Sequence, residues 1–272
     1  MELRFWGVRG TFPALGKKAS AFGRSTPCAT VTSGSGGIII IDAGTGMQAL
    51  GNELASKARP APLGLSLLLT HFHLDHLSGL PFFKPLFSPG TEIAVYTPVE
   101  PDAARRYLGL LIGHPFFPAP FEQTAANKRF GTIGAAGISI GDARITTCPL
   151  HHPQGSVAYR LEEKGVAVVF ATDTEPPEQK LDGRLAAFAK GADVLIYDAM
   201  FKPEEYASEK KGWGHSTWLD GVKMAQASGA RRLVLAHLNP DYSDRDLRAI
   251  ERRARRMFPN AECAREGGVH RF

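Results

Sequence analysis

Three histidines and one aspartate follow directly on a run of apolar residues. The run Leu65–Leu69 has the length of a buried strand, and the next seven residues, Thr70–His76, read THFHLDH. Imidazole nitrogen and carboxylate oxygen are ligands that a divalent cation such as zinc binds. Several unpaired His and Asp side chains at the edge of a core would be unstable without such a partner. The motif therefore predicts a metal centre at the end of a strand; a polar surface turn is the alternative.

The same arrangement recurs along the chain, because other apolar runs also lead into a histidine or an aspartate. Aliphatic and β-branched runs bounded by Gly, Pro and Asp are typical of buried strands. Ligand sites in layered α/β folds gather at strand ends, so we expect these residues to meet at one edge of a sheet. The pairs of run and residue are Ile38–Ile41 with Asp42, Arg144–Thr147 with His151 and His152, Val166–Ala171 with Asp173, Val194–Tyr197 with Asp198, and Leu233–Ala236 with His237.

Two helices are predicted in the last quarter of the chain. Thr217 begins the first with a capping sequence, and Gly229 ends it. Ser243 begins the second, whose apolar residues recur at intervals of three and four. The apolar face of the first helix consists of Trp218, Val222 and Ala225, and that of the second consists of Leu247, Ile250, Ala254 and Met257.

The second of these helices is rich in arginine. It accounts for six of the 32 basic residues of a chain with a formal net charge of +5. A solvated helix face and a surface for an anionic partner both fit this pattern. The arginines are Arg245, Arg248, Arg252, Arg253, Arg255 and Arg256.

Composition narrows the class of protein. Hydrophobic residues make up 43% and charged residues 22% of the 272 positions, which is typical of a globular protein. No apolar stretch is long enough to cross a bilayer, and the first ten residues lack a secretory pattern. We therefore expect a soluble, cytoplasmic protein with a single domain over residues 1–272, and no membrane partner. No CxxC spacing occurs, so buried apolar side chains are predicted for Cys28, Cys148 and Cys263.

The stretch from residue 81 to residue 130 is rich in proline and phenylalanine. It contains the pairs Phe82-Phe83 and Phe116-Phe117 between short apolar pieces and turns. We interpret it as an insertion or lid, with a contact between the subunits of a homodimer as an alternative. Aromatic pairs this close are also typical of an ordinary core.

The spacing within the histidine motif suits two adjacent metal ions. His71 and His73 can face one ion while Asp75 and His76 reach a second. A position left open for water would make such a centre catalytic, whereas a structural zinc has four protein ligands, often cysteines. Zinc is the ion that we expect, and manganese and iron are alternatives with the same ligand types. The residues that would complete the two sites are His152, Asp173 and His237.

Several segments in a fixed order extend this pattern over nearly the whole chain. Together they resemble the metallo-β-lactamase superfamily. The N-terminal RFWGVRG and the segment Ile41–Gly46 are similar to its phosphodiesterase branch, which includes cyclic-nucleotide phosphodiesterases and tRNA 3′-processing endonucleases. The other segments are HFHLDH, His152-Pro153, ATD ending at Asp173, DVLIYDA with Asp198, GHST at Gly214–Thr217, and LVLAH ending at His237.

The resemblance implies a four-layer αββα sandwich, with two mixed sheets face to face and helices outside. It also implies a dinuclear centre at one edge. Asp42 matches a carboxylate that supports the metal loop in the family, although a turn aspartate is the alternative. Carried over by position, His71, His73 and His152 would bind one metal ion, Asp75, His76 and His237 the other, and Asp173 both.

His215 is the residue that decides the type of reaction. In the phosphodiesterases of the family, a GHST-like histidine oriented by an acidic residue lies near the scissile phosphate, and Asp198 occupies the acidic position here. A second imidazole beside the metal ions can stabilise charge on phosphorus or protonate the leaving oxygen. Asp75 could in addition accept a proton from the nucleophile. A core or helix-capping histidine is the alternative for His215.

Four functions fit these residues. The first is a phosphodiesterase for a cyclic nucleotide or small cyclic phosphate. The second is an RNA-processing nuclease that uses the arginine-rich helix, and the third is a hydrolase of lactones, thioesters or other carbon esters. A metal-binding module without activity is the fourth. The long Gly/Pro- and Lys-rich arm of tRNA-processing relatives is not evident, which argues against precursor tRNA as the substrate.

Three histidines have no assigned role at the site, and one of them is adjacent to an assigned ligand. His151 precedes His152, so a shift of one residue is an alternative; His152 is preferred because Pro153 follows it. His114 and His270 have no partner pattern and are expected to lie at the surface or to pack against other side chains.

Overall fold

The apolar runs form two mixed sheets of seven strands each. The computed structural model describes residues 1–16, 20–56, 62–177 and 180–272. The first sheet has the order β14-β1-β2-β3-β4-β5-β6, and the second has the order β13-β12-β11-β10-β9-β8-β7. The strands of the first sheet are β1 Glu2–Gly7, β2 Cys28–Thr32, β3 Ile38–Ile41, β4 Leu63–Leu68, β5 Thr91–Tyr96, β6 Asn127–Gly131 and β14 Val269–Arg271. Those of the second are β7 Ile138–Ile140, β8 Ala143–Leu150, β9 Ser156–Glu163, β10 Val166–Ala171, β11 Val194–Asp198, β12 Leu233–Ala236 and β13 Ala261–Cys263.

Each sheet is antiparallel in one half and parallel in the other. In the first sheet, β14, β1, β2 and β3 pair antiparallel, whereas β3, β4, β5 and β6 run parallel. In the second, β7 to β10 pair antiparallel and β10 to β13 run parallel. Because parallel strands all end at the same edge, each sheet has one edge at which residues from several strands meet.

The helices lie outside the two sheets. Thr217 caps α5 by accepting a hydrogen bond from Asp220 N, and Gly229 ends it with a left-handed φ of 64°, as predicted. Ser243 caps α6 in the same way. The helices are α1 Met47–Ser56, α2 Pro101–Leu111, α3 Gly183–Phe188, the single turn α4 Pro203–Glu205, α5 Trp218–Ser228 and α6 Asp244–Met257.

The four layers are visible along a single strand. In β3, Ile39 and Ile41 belong to the core between the sheets, whereas Ile40 packs with Met47 of α1 in the outer core. All of these side chains are at most 3% exposed. Alternate residues of the strand therefore face opposite layers, which explains its unbroken apolar sequence. The predicted αββα sandwich is confirmed.

The apolar face predicted for the second helix is wrong at one position. Leu247, Ile250 and Ala254 are buried in α6, but Met257 is 47% exposed. Met257 is the last residue of the helix, where the chain turns away toward β13 and no longer packs on the sheet.

The segment from residue 81 to residue 130 divides its aromatic residues between core and surface. Phe83 and Phe121 are at most 2% exposed, whereas Phe82 is 59% and Phe116 is 79% exposed. The segment also supplies β5 and β6 to the first sheet. Its interpretation as an insertion, a lid or a subunit contact stays a prediction.

Other side chains meet the expectations from sequence. Cys28, Cys148 and Cys263 are buried free thiols, as predicted. Among the helices that the structure describes, none combines the length and the apolar character that crossing a membrane requires.

Candidate metal centre

The predicted ligands converge because the strands that precede them end at neighbouring edges of the two sheets. Asp42 follows β3, the histidine motif follows β4, Asp173 lies two residues after β10, and His237 follows β12. Asp198 is the last residue of β11. The expectation that strand ends deliver these side chains to one place is met by the structure.

The backbone at these strand ends has an unusual conformation. Asp42, Asp173 and His237 have φ values of 59°, 57° and 53°, in the left-handed region that residues with a Cβ rarely adopt. Thr11, with φ 63°, borders the same cluster, and Lys164 is the remaining non-glycine residue of this kind in the described ranges. Strained conformations of this type concentrate at functional sites, where they turn a side chain sharply toward its partners.

His71, His73 and His152 form one group of convergent imidazoles. Nε2 of His152 lies 3.2 Å from Nδ1 of His73. The other ring nitrogens of two of these residues have partners: His73 Nε2 contacts Gln154 Oε1 at 2.7 Å, and His152 Nδ1 donates to Gly214 O at 2.9 Å. These hydrogen bonds fix the orientation of both rings and point their remaining nitrogens at one another.

Asp75, His76 and His237 form a second group. The Oδ2 of Asp75 lies 3.4 Å from Nε2 of His76 and 3.2 Å from Nε2 of His237, and the two nitrogens are 3.3 Å apart. Ligands bound at zinc–nitrogen distances in a tetrahedron would be about 3.3 Å from one another. The 3₁₀ turn Leu74–His76 places Asp75 and His76 of the motif in this arrangement.

Asp173 lies between the two groups. Its Oδ1 is 3.8 Å from Nε2 of His71 and 3.2 Å from Nε2 of His237, and its Oδ2 is 3.3 Å from Nε2 of His76. The side chain is 1% exposed. One carboxylate therefore contacts both groups of candidate ligands, and its role as a bridging ligand stays a prediction.

The cluster fits a divalent cation. Within the described residues, His71 Nε2 and Asp173 Oδ2 are buried atoms of the cluster that lack a hydrogen-bond partner. Burial and the neighbouring imidazole of His76 lower the pKa of His71 to about 2, so this ring is neutral and can donate a lone pair. Burial disfavours the ionised form of Asp173, but the imidazoles of His237 and His76 outweigh it and hold its pKa well below the usual value. Neutral imidazole and ionised carboxylate are the forms that bind a metal ion.

Asp42 orients one of the candidate ligands from outside the cluster. It is 2% exposed, and its Oδ2 accepts a hydrogen bond from His76 Nδ1 at 2.8 Å. Its Oδ1 accepts from the backbone N of Thr70 at 2.8 Å. Asp42 therefore holds the His76 ring and the backbone of Thr70, at the start of the histidine motif, in place.

His215 and Asp198 form a pair at the edge of the cluster. Nδ1 of His215 lies 2.9 Å from Oδ2 of Asp198, which is 0% exposed. Burial disfavours protonation of His215, but the Asp198 carboxylate outweighs this effect and raises the pKa of the imidazole to about 9. The ring of His215 stacks on His237 at 4.8 Å and lines a cavity of about 760 Å³ that also includes Asp75 and Asp173.

Three contacts at the site involve residues that were not predicted from the sequence. The backbone N of Thr11 donates to Asp75 Oδ2 at 2.7 Å. Glu175 accepts hydrogen bonds at 2.8 Å from the backbone N of both Gly212 and Gly214, just before His215. Backbone donors leave no trace in residue type, but an acid two positions after Asp173 was a signal for Glu175. Gln154, next to His152-Pro153, was a similar signal.

Two glycines lie so close to candidate ligands that there is no space for a side chain at either position. A Cβ on Gly10 would lie 2.2 Å from the His237 ring, and one on Gly214 would lie 2.3 Å from His152 Nδ1. Gly214 also has a φ of 83°. A larger residue at either position would displace a candidate ligand.

The remaining histidines lie outside the cluster. The structure brings His152 into the group and leaves His151 46% exposed, with Nε2 at 3.4 Å from Asp182. His114 is exposed, and His270 packs against Phe5. His152, and not His151, is thus the residue that lies within the cluster, and its assignment as a ligand stays a prediction.

Comparison with known families assigns the fold. The family described as "Beta-lactamase superfamily domain" matches residues 38–238, which include the histidine motif and His237. The chain belongs to the β-lactamase superfamily. At this level the prediction of a metal-dependent hydrolase is confirmed, and the His/Asp cluster of this superfamily member fits divalent metal binding.

Curated relatives of this β-lactamase superfamily member include ribonucleases. A protein named Ribonuclease Z from Gemmatimonas aurantiaca is 41% identical over 130 residues, which cover 48% of this chain and 37% of that protein. A protein of the same name from Methanothermobacter thermautotrophicus is 23% identical, with 97% of this chain and 94% of that protein covered. Among solved structures, the metallo-β-lactamase fold protein YhfI from Bacillus subtilis has a TM-score of 0.73 and 21% identity, with 99% of this chain and 98% of that chain covered.

Proposed function

We propose that the protein is a metal-dependent phosphodiesterase that cleaves RNA. The observation that carries this proposal is the His215–Asp198 pair, joined at 2.9 Å beside the His/Asp cluster. A carbon-ester hydrolase has less need of an additional imidazole that can protonate the leaving group. The names of the curated relatives support RNA as the substrate. Cyclic nucleotides and small cyclic phosphates, which the sequence placed first, become the second candidate.

The proposal assigns the cluster to two divalent ions. Zinc suits the nitrogen-rich ligand set, and manganese and iron accept the same donors. When bound, such ions polarise the phosphate and lower the pKa of a water molecule. His71, His73 and His152 are assigned to one ion, Asp75, His76 and His237 to the other, and Asp173 to both.

His215 is assigned as the proton donor to the leaving oxygen. Its Nδ1 is bound to Asp198, so Nε2 is the nitrogen left to face the cavity. The Asp198 carboxylate stabilises the protonated ring and fixes its orientation. Asp75, whose Oδ2 is held by the backbone N of Thr11, is assigned as the acceptor of the nucleophile's proton.

One observation favours a smaller substrate as the second candidate. The alignment with the Methanothermobacter relative extends over 318 positions, although this chain has 272 residues. That relative therefore contains inserted residues without a counterpart here. The cavity of about 760 Å³ is also within the usual size range for small-molecule sites.

Replacing His215 by alanine tests the proposed reaction. The zinc- or manganese-loaded enzyme is assayed on an RNA with a 3′ extension, a cyclic nucleotide, bis-p-nitrophenyl phosphate, a lactone and a thioester. We expect His215→Ala to lower phosphodiester turnover by about 10²–10⁴, the usual contribution of a general acid. Metal content should stay at the wild-type level.

A matched control is His151→Ala, since this imidazole is half-exposed and lies outside the cluster. It should leave both turnover and metal content unchanged. Wild-type enzyme that hydrolyses only the lactone or thioester would rule out the phosphodiesterase assignment. Cleavage of the cyclic nucleotide without cleavage of any RNA would select the second candidate.

A further inference from the structure

The carboxylates of α6 are all engaged in contacts that hold the helix in place. Asp244 accepts a hydrogen bond from Ser20 Oγ at 2.8 Å, and Asp246 completes the N-terminal cap. Glu251 is 8% exposed and accepts from Arg265 at 2.9 Å. Of these acids, Asp244 also interacts electrostatically with Arg248, but it forms no ion pair with that guanidinium and is held by Ser20.

The six arginines of α6 fall into two classes. Arg253 and Arg255 are paired: the first lies 3.4 Å from Glu204 and over the Trp218 ring, and the second lies 3.4 Å from Glu251. The other four are exposed, and no carboxylate of the described residues is within ion-pairing distance of them. These four are Arg245, Arg248, Arg252 and Arg256.

The four unpaired arginines lie on one face. Their spacings of three, four and four residues align them along the helix, opposite the buried Leu247 and Ala254. At 1.5 Å per residue they extend over about 16 Å. Such a row can follow several consecutive phosphates of a nucleic-acid strand. We call this row the α6 arginine face.

The arginine face begins next to the metal centre. Arg245 lines, with Arg24, a cavity of about 800 Å³. This cavity shares the three residues Pro240–Tyr242 with the cavity that contains His237. A chain bound along α6 would therefore reach the candidate metal centre without crossing another element.

The surroundings of the metal centre explain why a polyanion would need this face. Glu205, Glu209 and Asp241 line the metal cavity together with Lys210, so acidic side chains outnumber lysine in its outer lining and weaken its attraction for a phosphate backbone. The apolar side of α6 is buried against the protein except at Met257, its last residue, and a single exposed side chain is too little apolar surface for insertion into a membrane. Positive charge without an apolar flank is typical of a site for nucleic acid.

We propose that the α6 arginine face binds the backbone of an RNA substrate whose scissile phosphate lies at the metal centre. This inference rests on the proposed RNA cleavage. It adds the surface that would hold a substrate longer than the metal cavity.

The test compares two variants that each lower the formal net charge from +5 to +1. The first, R245Q/R248Q/R252Q/R256Q, removes the arginine face. The second, K84Q/R106Q/R129Q/K190Q, removes four exposed charges elsewhere. RNA cleavage and bis-p-nitrophenyl phosphate hydrolysis are measured with metal-loaded enzyme from about 50 to 200 mM salt, the range over which phosphate contacts are lost.

We expect kcat/KM for RNA to fall at least tenfold in the first variant, through KM, with unchanged hydrolysis of the small substrate. The slope of log kcat/KM against log salt should also decrease by about 0.7 for each lost phosphate contact. The second variant should behave like the wild type. Equal losses in both variants, or none in the first, would overturn the proposal.

Direct binding separates this inference from the proposed function. Anisotropy of a labelled single-stranded RNA is measured with wild-type protein and both variants, with vesicles of phosphatidylserine as a competing partner. If wild-type enzyme cleaves no RNA, the proposed function fails, and weaker RNA binding by the first variant alone still supports the arginine face. Equal RNA binding by all three proteins would refute RNA binding by the arginine face. The same conclusion would follow if the four arginines were needed for vesicle binding but not for RNA binding.

Discussion

The two sheets deliver their candidate ligands in different ways. The first sheet supplies four of them, His71, His73, Asp75 and His76, from one loop after β4. The second sheet supplies single residues from separate places: one after β8, one after β10 and one after β12. The first set is local in sequence, whereas the second set comes together only when distant strands pair.

The register of the second sheet is what brings its residues together. Ala171 pairs with Tyr197, and Tyr197 pairs with Leu235, so three parallel strands end at the same level. The residues that follow, Asp173 and His237, then meet the loop of the first sheet. Asp173 of the second sheet thereby contacts His71 of the first group and both His76 and His237 of the second.

Replacing Asp173 by alanine is expected to have the largest effect. Asp173 contacts His71, His76 and His237, so both groups should lose affinity together. We expect almost no retained metal and at least 10⁴-fold lower phosphodiester turnover. His73→Ala, in the first sheet's loop, removes a member of one group only, and about half of the metal should remain. Elemental analysis after gel filtration in metal-free buffer measures both.

Each sheet also has one buried carboxylate that orients an imidazole, and these two should have different effects. Asp42→Asn disturbs His76, a candidate ligand, and should weaken metal binding by about 10–100-fold, with turnover recovered at high metal concentration. Asp198→Asn disturbs His215 and should keep metal affinity while turnover falls by about 10²-fold or more. Metal titrations followed by activity distinguish the two. The same response in both variants would contradict the division of roles.

Gly10→Ala should have a smaller effect than the replacements of Asp173, His73, Asp42 and Asp198. Its Cβ would clash with the His237 ring, so the loop must shift at a cost of about 1–3 kcal/mol. Metal affinity should fall in parallel, because His237 is displaced. Gly109→Ala in α2 is the control, since it meets open space and should stabilise the helix by about 0.5–1 kcal/mol. Urea denaturation of the two variants, with and without metal, measures whether the free energy of unfolding falls for Gly10→Ala and rises for Gly109→Ala.

The sequence was most informative where chemistry and local geometry coincide. The strand ends at Ile41, Ala171 and Ala236 were predicted at the observed residues, and both helix caps were found. Side-chain exposure in the aromatic segment was not predictable, because Phe82 and Phe83 are adjacent and chemically identical but face opposite ways. Their difference depends on packing against distant elements.

The contacts around the motif were harder to predict for another reason. Asp75 is held by the backbone N of Thr11, 64 positions away. Any residue except proline carries that donor, so composition gives no indication of it. The long-range hydrogen bonds of a site therefore need the folded chain, whereas its ligand types do not.

Glu175 joins two parts of the molecule that have different tasks. It lies two residues beyond Asp173, and it accepts hydrogen bonds from Tyr206 Oη, Gly212 N and Gly214 N. The segment ahead of His215 is thereby tied to the strand that presents Asp173. Because these hydrogen bonds couple the motion of the two parts, they keep the distance between His215 and the His/Asp cluster constant before any substrate binds.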